Sequence, residues 1–221
     1  MTTLSRRGLL ASTGALSLVG VLAACADTGA DGKAVASSSA SDADYDKAIN
    51  SGPVAAADVV AASPWAASVK QAGKLVTGGT KTSEVFSWED SKTKKISGFD
   101  AAIAQALARY IIGGDDARSL LEVQQVTSET RETVLTNGTV KAVIATYTIT
   151  PERAKKIDFA GPYYASSQAI LVKADNQDIT GVDTLTGDVA VQSNSSSAAA
   201  LKKYAPKATA KPFDTQAKCV A

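Results

Sequence analysis

The sequence predicts an α/β fold with two lobes, each built on a mainly parallel sheet flanked by helices, and two observations support this prediction. Short apolar runs that suit buried strands, at residues 74–79, 121–126 and 140–145, alternate with segments that carry helix signals. Such βαβαβ alternation favours parallel strands joined by right-handed crossovers. A second unit with strand and helix signals begins near Lys173, which predicts the second lobe.

Helix start signals follow the first two strands. Asp100 is expected to cap a helix whose apolar stripe includes Ile103 and Leu107. Ser128 is expected to cap the next helix, which ends near Gly138 because glycine fits the left-handed position after a helix. Both helices would then pack against the sheet as crossovers.

The second unit predicts a short helix at residues 180–185, a strand at 189–192 and a helix at 198–204. A polar, serine-rich turn at residues 193–197 separates the strand from the last helix. Exposed N–H groups at such a turn form an anion site, although a serine-rich helix cap without a ligand has the same pattern.

The stretch from Ala142 to Tyr164 contains the strongest functional signal. Thr150 is a good N-cap, and Pro151 suits the first helical position, where its missing N–H costs nothing. Arg153 therefore falls in the first turn of a helix, just past the carboxyl end of a strand. Open α/β sheets bind ligands at such strand ends, and a carboxylate there would meet a guanidinium fork. Without further information, Arg153 could equally be a solvent-exposed side chain at a helix end that binds no ligand.

A family resemblance rests on four motifs in sequence order: Gly98-Phe99-Asp100, Asn137-Gly138-Thr139, TITPER at residues 148–153 and DFAGPYY at residues 158–164. Together they resemble the signature of the family 3 bacterial extracellular solute-binding proteins, which serve ABC importers of polar amino acids. The resemblance extends from about Gly73 to the C-terminus. It is nearest to the glutamate-binding lipoproteins of actinobacteria.

The resemblance implies a periplasmic-binding-protein-like type II fold. Residues 73–167 would form lobe I, which binds substrate, and residues 168–221 would form part of lobe II. Family members continue beyond Cys219, so we expect the chain to be C-terminally truncated and to bind ligand weakly or not at all in this form.

The resemblance also implies a ligand site between the lobes, where closure brings lobe II onto ligand already docked on lobe I. The implied ligand residues are Ala145, Thr146, Thr148 and Arg153 in lobe I, and Gln192, Ser195 and Ser196 in lobe II. A loop after the first strand is expected to add an aromatic side chain, for which Phe86 and Trp88 are both candidates. The spacing does not choose between them, and both could be packing residues.

Composition excludes several kinds of chemistry. The histidine count of 0 removes Ser-His-Asp and Cys-His catalysis and most transition-metal sites. Lys+Arg 23 against Asp+Glu 22 gives a net charge of +1, and the mature part carries no basic run, so nucleic acid is not an expected partner. We expect neither a cofactor nor a bound metal.

The N-terminus predicts export and anchoring. Residues 1–25 have the pattern of a lipoprotein signal peptide: SRRGLL at residues 5–10 resembles a twin-arginine motif, and LAAC ends at Cys25, the expected site of lipidation. An ordinary signal peptide with an incidental Cys25 is the alternative. Residues 26–72 are rich in Ala, Ser, Asp and Gly at their start and are predicted to be a flexible tether. Within it, residues 63–70 have the pattern of a short helix with Ser63 as its cap.

The resemblance implies that Cys219 is unpaired. Relatives pair a cysteine at this position with one in the strand at residue 190, where this chain has Ala190. Cys25 is assigned to the lipid anchor.

The leading hypothesis is a monomeric, lipid-anchored receptor on the outer face of the cell membrane. It would bind a polar amino acid, glutamate first and glutamine next, and deliver it to the permease of an ABC importer without covalent chemistry. An enzyme on the same scaffold, resembling cyclohexadienyl dehydratase, and a fragment that neither binds nor transports are the alternatives.

Overall fold

The computed structural model describes residues 41–221. The predictions made for the signal peptide, for the twin-arginine motif and for lipidation of Cys25 lie outside the described residues.

The helices are α1 (Asp42–Asn50), α2 (Ala57–Ala61), α3 (Pro64–Ala72), α4 (Phe99–Ile112), α5 (Arg131–Thr136), α6 (Pro151–Ala154), α7 (Ser196–Tyr204) and α8 (Gln216–Val220). The strands are β1 (Leu75–Gly79), β2 (Thr82–Ser83), β3 (Ser87–Glu89), β4 (Ile96–Ser97), β5 (Leu121–Gln125), β6 (Ala142–Val143), β7 (Gly187–Gln192) and β8 (Ala208–Phe213). No helix within residues 41–221 is long and apolar enough to cross a membrane.

The main sheet of lobe I has the predicted parallel arrangement. β1 is the central strand, with β5 on one side and β6 on the other. Thr77 pairs in register with Val123 of β5 and with Ala142 of β6. Because the three strands run in the same direction, the loops that follow them share one edge of the sheet.

The core of lobe I lies where α3 and α4 pack near β1. Val69, Leu75 and Ala108 are fully buried there, and Ile111 joins them. Their removal from water is the main favourable contribution to holding these layers together.

The tether prediction for residues 26–72 is wrong from Asp42 onward, because three helices form there. The short helix predicted at residues 63–70 is confirmed as α3, which Ser63 caps. Residues 26–40 lie outside the described part of the chain. The prediction relied on the scarcity of large apolar side chains. However, Ile49 and Val69 are buried, so a few apolar residues suffice where an existing core supplies the opposing surface.

Polar contacts also fasten the N-terminal helices to lobe I. The hydroxyl of Tyr45 donates to the side chain of Gln105 at 2.8 Å and lies 3.2 Å from the carbonyl of Gly98. The indole N–H of Trp65 donates to the carbonyl of Lys141 at 2.9 Å. The helices therefore belong to the folded unit.

The predicted cap of α4 is wrong. Gly98, not Asp100, is the N-cap residue, with a φ of +116° that side-chain-bearing residues rarely adopt. The loop after β1 supplies acceptors for the free N–H groups, and the N–H of Ala101 donates to the carbonyl of Phe86 at 3.2 Å. The carboxylate of Asp100 is thereby available for other partners.

The boundaries of α5 also differ at the N-terminal end. The helix begins at Arg131, and the preceding Thr130 is the N-cap residue in place of the predicted Ser128. At the other end Gly138 has a φ of +76° and follows the C-cap Asn137, which confirms its predicted left-handed position.

β6 is shorter than the predicted strand at residues 140–145. The N–H of Val140 donates to the carbonyl of Val134 in α5, and the carbonyl of Ala145 accepts from Arg131. Because these backbone groups bond outside the ladder, the strand is limited to Ala142–Val143.

Lobe II contains a second parallel pair, β7 and β8, as the fold class predicts. Ser195 caps α7 by accepting from the N–H of Ser197 at 3.2 Å. The helix predicted at residues 180–185 is wrong, because the hydroxyl of Thr184 accepts from the backbone N–H of Thr180 at 2.9 Å and stabilises a turn.

Candidate ligand-binding site

Arg153 lies at the junction of the two lobes. Thr150 caps α6 by accepting from the N–H of Arg153 at 3.3 Å, which confirms the predicted helix start. The guanidinium Nη1 donates to the carbonyl of Thr148 in lobe I at 2.7 Å. Its Nη2 donates to the carbonyl of Asn194 in lobe II at 3.0 Å. One side chain therefore bonds to both lobes.

A pair of hydroxyl groups joins the lobes beside this guanidinium. The oxygens of Thr148 and Ser196 are 3.2 Å apart. Gln168, which lies between the lobes in sequence, accepts from the hydroxyl of Ser197 at 2.9 Å. The structure thus brings Thr148, Arg153 and the turn at Ser195 and Ser196 together from distant parts of the chain.

Gln192 is partly buried at the end of β7 in lobe II. Its Nε2 donates to the carbonyl of Asp214 at 3.3 Å, between β7 and the turn before α8. Its described contact therefore holds lobe II together and does not reach Arg153.

Arg131 is the charged residue of this region that sequence reasoning missed. It is only 4% exposed, and its Nη1 donates to the carbonyl of Ala145 at 3.2 Å. Its Nε is buried without a hydrogen-bond partner among the described residues. Burial, followed by the nearby charge of Arg153, lowers the pKa of Arg131 to about 10, so the side chain stays protonated at neutral pH. A periodicity signal existed, since Arg131 precedes Val134 by three residues on one helix face.

The guanidinium groups of Arg131 and Arg153 both form cation–π contacts with the ring of Tyr147. The central carbon of Arg131 lies 3.8 Å from the ring centroid, and that of Arg153 lies 4.5 Å from it. Neither arginine forms a salt bridge within residues 41–221, since their hydrogen bonds go to backbone carbonyls. Two cations therefore converge on one aromatic ring, which makes the site electropositive.

The carboxylate of Glu132, which contacts Tyr147, is already bonded to two partners. Glu132 accepts from the hydroxyl of Tyr147 at 2.8 Å and from the ammonium of Lys156 at 2.9 Å. The hydrogen bond from Lys156, followed by that from Tyr147, lowers the pKa of Glu132. Glu132 therefore orients the tyrosine ring on which the arginines stack.

Asp100 is a buried carboxylate that contacts the exposed Thr146 in the loop after β6. Asp100 is 1% exposed, and its Oδ2 accepts from the N–H of Thr146 at 2.8 Å. Its Oδ1 accepts from the hydroxyl of Tyr163 at 3.0 Å. Burial raises the pKa of Asp100, and these two hydrogen bonds oppose that rise.

The two aromatic candidates occupy different surroundings. The ring of Phe86 meets that of Tyr164 edge-on at 5.3 Å, and Phe99 lies 5.6 Å from the same tyrosine. Trp88 pairs with Ser97 in the antiparallel hairpin and borders a small polar cavity that Asp42 also lines. Phe86 is thus joined to the aromatic residues of the DFAGPYY segment, whereas Trp88 contacts the hairpin side of the lobe.

Cys219 lies in α8 and has no disulfide partner within residues 41–221. Burial raises the pKa of its thiol, and Asp214 adds to the rise. The thiol is therefore mainly protonated at neutral pH.

The fold and the site define a class of protein: an α/β ligand-binding protein with two lobes and a cationic, hydroxyl-lined junction between them. The profile of the bacterial extracellular solute-binding proteins, family 3, matches residues 75–215. The chain belongs to this family, and its fold is the type II periplasmic-binding-protein-like fold.

Two characterised relatives show how far the likeness extends. A glutamine-binding protein of Geobacillus stearothermophilus is 36% identical over 150 residues, which cover 67% of this chain and 56% of the relative. A glutamate-binding protein of Corynebacterium efficiens is 31% identical over 150 residues, which cover 66% and 50%. The chain thus spans about half the length of the curated relatives that it matches.

Solved structures agree on the fold. The crystal structure of an ancestral amino-acid-binding protein, described as a precursor of cyclohexadienyl dehydratase, has a TM-score of 0.63 and 33% identity, and the match covers 70% of this chain and 68% of that one. An ancestral arginine-binding protein bound to arginine has a TM-score of 0.59 and 33% identity, covering 67% and 64%. These relatives are named for binding amino acids.

Proposed function

We propose that this protein is the extracytoplasmic substrate-binding component of an ABC importer and that it binds a polar amino acid between its lobes. The observation that carries this proposal is the guanidinium of Arg153, which bonds to Thr148 in lobe I and to Asn194 in lobe II. A group that already bridges the lobes is suited to sense a ligand that must contact both.

The α-carboxylate of the amino acid would bind Arg153. Guanidinium–carboxylate pairs are often bidentate and belong to the strong class of hydrogen bonds. The present acceptors of this guanidinium are neutral carbonyls, so an incoming carboxylate offers the cation a better partner. The backbone of the loop from Ala145 to Thr148 would supply further contacts.

Lobe II would complete the site on closure. Ser195 and Ser196 lie at the N-terminal end of α7, a helix of 9 residues, where backbone N–H groups are free to bind an anion. Gln192 would act within lobe II by holding the turn. Phe86 is the better aromatic candidate, since its ring contacts Tyr164 in the segment that leaves lobe I, whereas Trp88 packs on the hairpin.

Glutamate is the proposed ligand, with glutamine next. Two guanidinium groups without carboxylate partners favour a ligand that carries a second negative charge. The names of the relatives include both glutamine- and glutamate-binding proteins, which is consistent with either choice.

We further propose a lipid anchor at Cys25, a location at the outer face of the membrane, a monomeric state and delivery of the ligand to a membrane permease. No cofactor or covalent step enters this function.

Calorimetric titration with glutamate, glutamine, aspartate and arginine tests the proposal, in the protein extended to the length of its curated relatives. We expect the tightest binding for glutamate, and binding of none of the four would overturn it. Incubation with prephenate or arogenate provides the contrast, because product formation would favour the dehydratase alternative.

A further inference from the structure

A single peptide unit in the candidate site is held at both of its ends. The peptide bond between Ala145 and Thr146 presents its carbonyl to Nη1 of Arg131 at 3.2 Å. Its N–H points to Oδ2 of Asp100 at 2.8 Å. In a trans peptide the carbonyl and the N–H point in opposite directions. Arg131 and Asp100 therefore bond to opposite sides of the same planar unit and fix its orientation.

The two charged groups are buried and come from different helices. Asp100 is 1% exposed in α4, and Arg131 is 4% exposed in α5. Ionised side chains are placed in such surroundings at a high desolvation cost unless hydrogen bonds offset it. Asp100 and Arg131 both form a hydrogen bond with this one peptide unit, which offsets part of that cost for each.

The residue at the end of this peptide has an unusual conformation. Thr146 has a φ of +46°, in the left-handed region that β-branched residues rarely adopt. Such a conformation persists only where the surrounding structure imposes it. The bond from its N–H to Asp100 is the contact that can impose it, and two residues later the chain reaches Thr148.

Asp100 also contacts the segment by which the chain leaves lobe I. Its second oxygen accepts from the hydroxyl of Tyr163 at 3.0 Å. The ring of Tyr163 lies 6.1 Å from that of Phe99, which begins α4. The carboxylate of Asp100 therefore links the loop after β6 to the segment at Tyr163, by which the chain leaves lobe I.

We propose that Asp100 and Arg131 are positioning residues, which lock the Ala145–Thr146 peptide so that Thr148 and Arg153 face the ligand. The inference rests on the proposed function, since it takes those two residues as the ligand contacts. The same carboxylate also accepts from Tyr163. Asp100 therefore fixes the loop after β6 relative to the segment by which the chain leaves lobe I.

The first arm of the test needs no ligand. In ¹⁵N-labelled protein the amide proton of Thr146 should resonate downfield and exchange slowly, because it is bonded to a buried carboxylate. Asp100→Asn should move this resonance upfield and speed its exchange by about tenfold, the factor expected when a charge-assisted bond becomes a neutral one. A Thr146 amide that exchanges at the rate of an unbonded loop amide in the unsubstituted protein would overturn the proposal, even where the variant fails to fold.

The second arm measures glutamate affinity by calorimetry, in the protein extended to the length of its curated relatives. Asp100→Asn should weaken binding by about tenfold although it leaves Arg153 in place, and Tyr163→Phe should weaken it less because the bond to Thr146 survives. Asp115→Asn, the same change at an exposed position, is the control. Unchanged affinity in folded Asp100→Asn would overturn this inference alone, whereas absence of binding in the unsubstituted protein would overturn the proposed function.

Discussion

The guanidinium of Arg153 donates to the carbonyl of Asn194 at 3.0 Å, so a backbone group of lobe II occupies the position where we propose that the ligand carboxylate binds. Asn194 has a φ of +53°, which turns the chain just before the cap of α7. Ligand entry therefore exchanges a neutral acceptor for a charged one, and charge-assisted bonds are about twice as strong as neutral ones.

In the protein extended to the length of its curated relatives, Arg153→Ala should weaken amino-acid binding by at least about tenfold. Removing one member of a desolvated charge pair costs on the order of 2–5 kcal/mol, and about 1.4 kcal/mol corresponds to a factor of ten. Arg153→Lys should recover only part of the loss, because an ammonium lacks the planar fork. Calorimetric titration measures both, with Lys155→Ala at the exposed end of the same helix as the control. Equal affinity in folded Arg153→Ala would exclude this residue from the site.

Arg131→Gln should reduce the preference for glutamate over glutamine. The second guanidinium favours the ligand with the extra negative charge, so its neutral replacement should bring the ratio of the two affinities toward one. The ratio is the informative quantity, because any loss of folded protein affects both ligands equally. An unchanged ratio would show that selectivity arises elsewhere.

Ser195→Ala should affect stability more clearly than it affects binding. Its side chain caps α7, and loss of an N-cap serine costs about 1 kcal/mol of folding free energy, whereas glycine at the same position costs a few tenths. Ligand affinity should fall less than in Arg153→Ala because the backbone N–H donors remain. Urea unfolding and titration of Ser195→Ala beside Ser195→Gly test both statements, and a larger affinity loss than that of Arg153→Ala would contradict them.

Gly98→Ala should be strongly destabilising. A Cβ there would lie 2.5 Å from the carbonyl oxygen of Phe86, and the φ of +116° adds strain. Gly138→Ala is the matched control: its φ is +76°, but a Cβ there has no neighbour within 4 Å. We expect the control to lose about 1 kcal/mol from backbone strain alone and Gly98→Ala to lose more, as measured by urea unfolding. Equal losses would mean that the loop moves aside without cost.

Cys25→Ser should release the protein from membranes. Two acyl chains give stable attachment, whereas a single chain gives only marginal binding. Detergent extraction of cells that express each form measures the partition. If the Cys25→Ser protein stayed wholly with the membranes, the lipoprotein prediction would be wrong.

The elements whose signals are local can be predicted from the amino-acid sequence alone. Thr150 and Pro151 mark the start of α6 through contacts that span only a few residues, and they therefore predict that Arg153 lies at a helix start. The β-branched runs likewise predicted the parallel strands β1 and β5. Such signals survive in any context because their partners lie nearby in the chain.

Roles that depend on distant partners arise only when the chain has folded. Asp100 has the sequence context of a helix cap, yet its two partners lie 46 and 63 residues away, at Thr146 and Tyr163. Helices α1 and α2 were missed for a related reason, because their few apolar side chains become sufficient only against the core that α4 and β1 supply. Composition and spacing describe what a segment prefers locally, whereas burial of Asp100 and Arg131 around one peptide arises from packing that brings α4, α5 and β6 together.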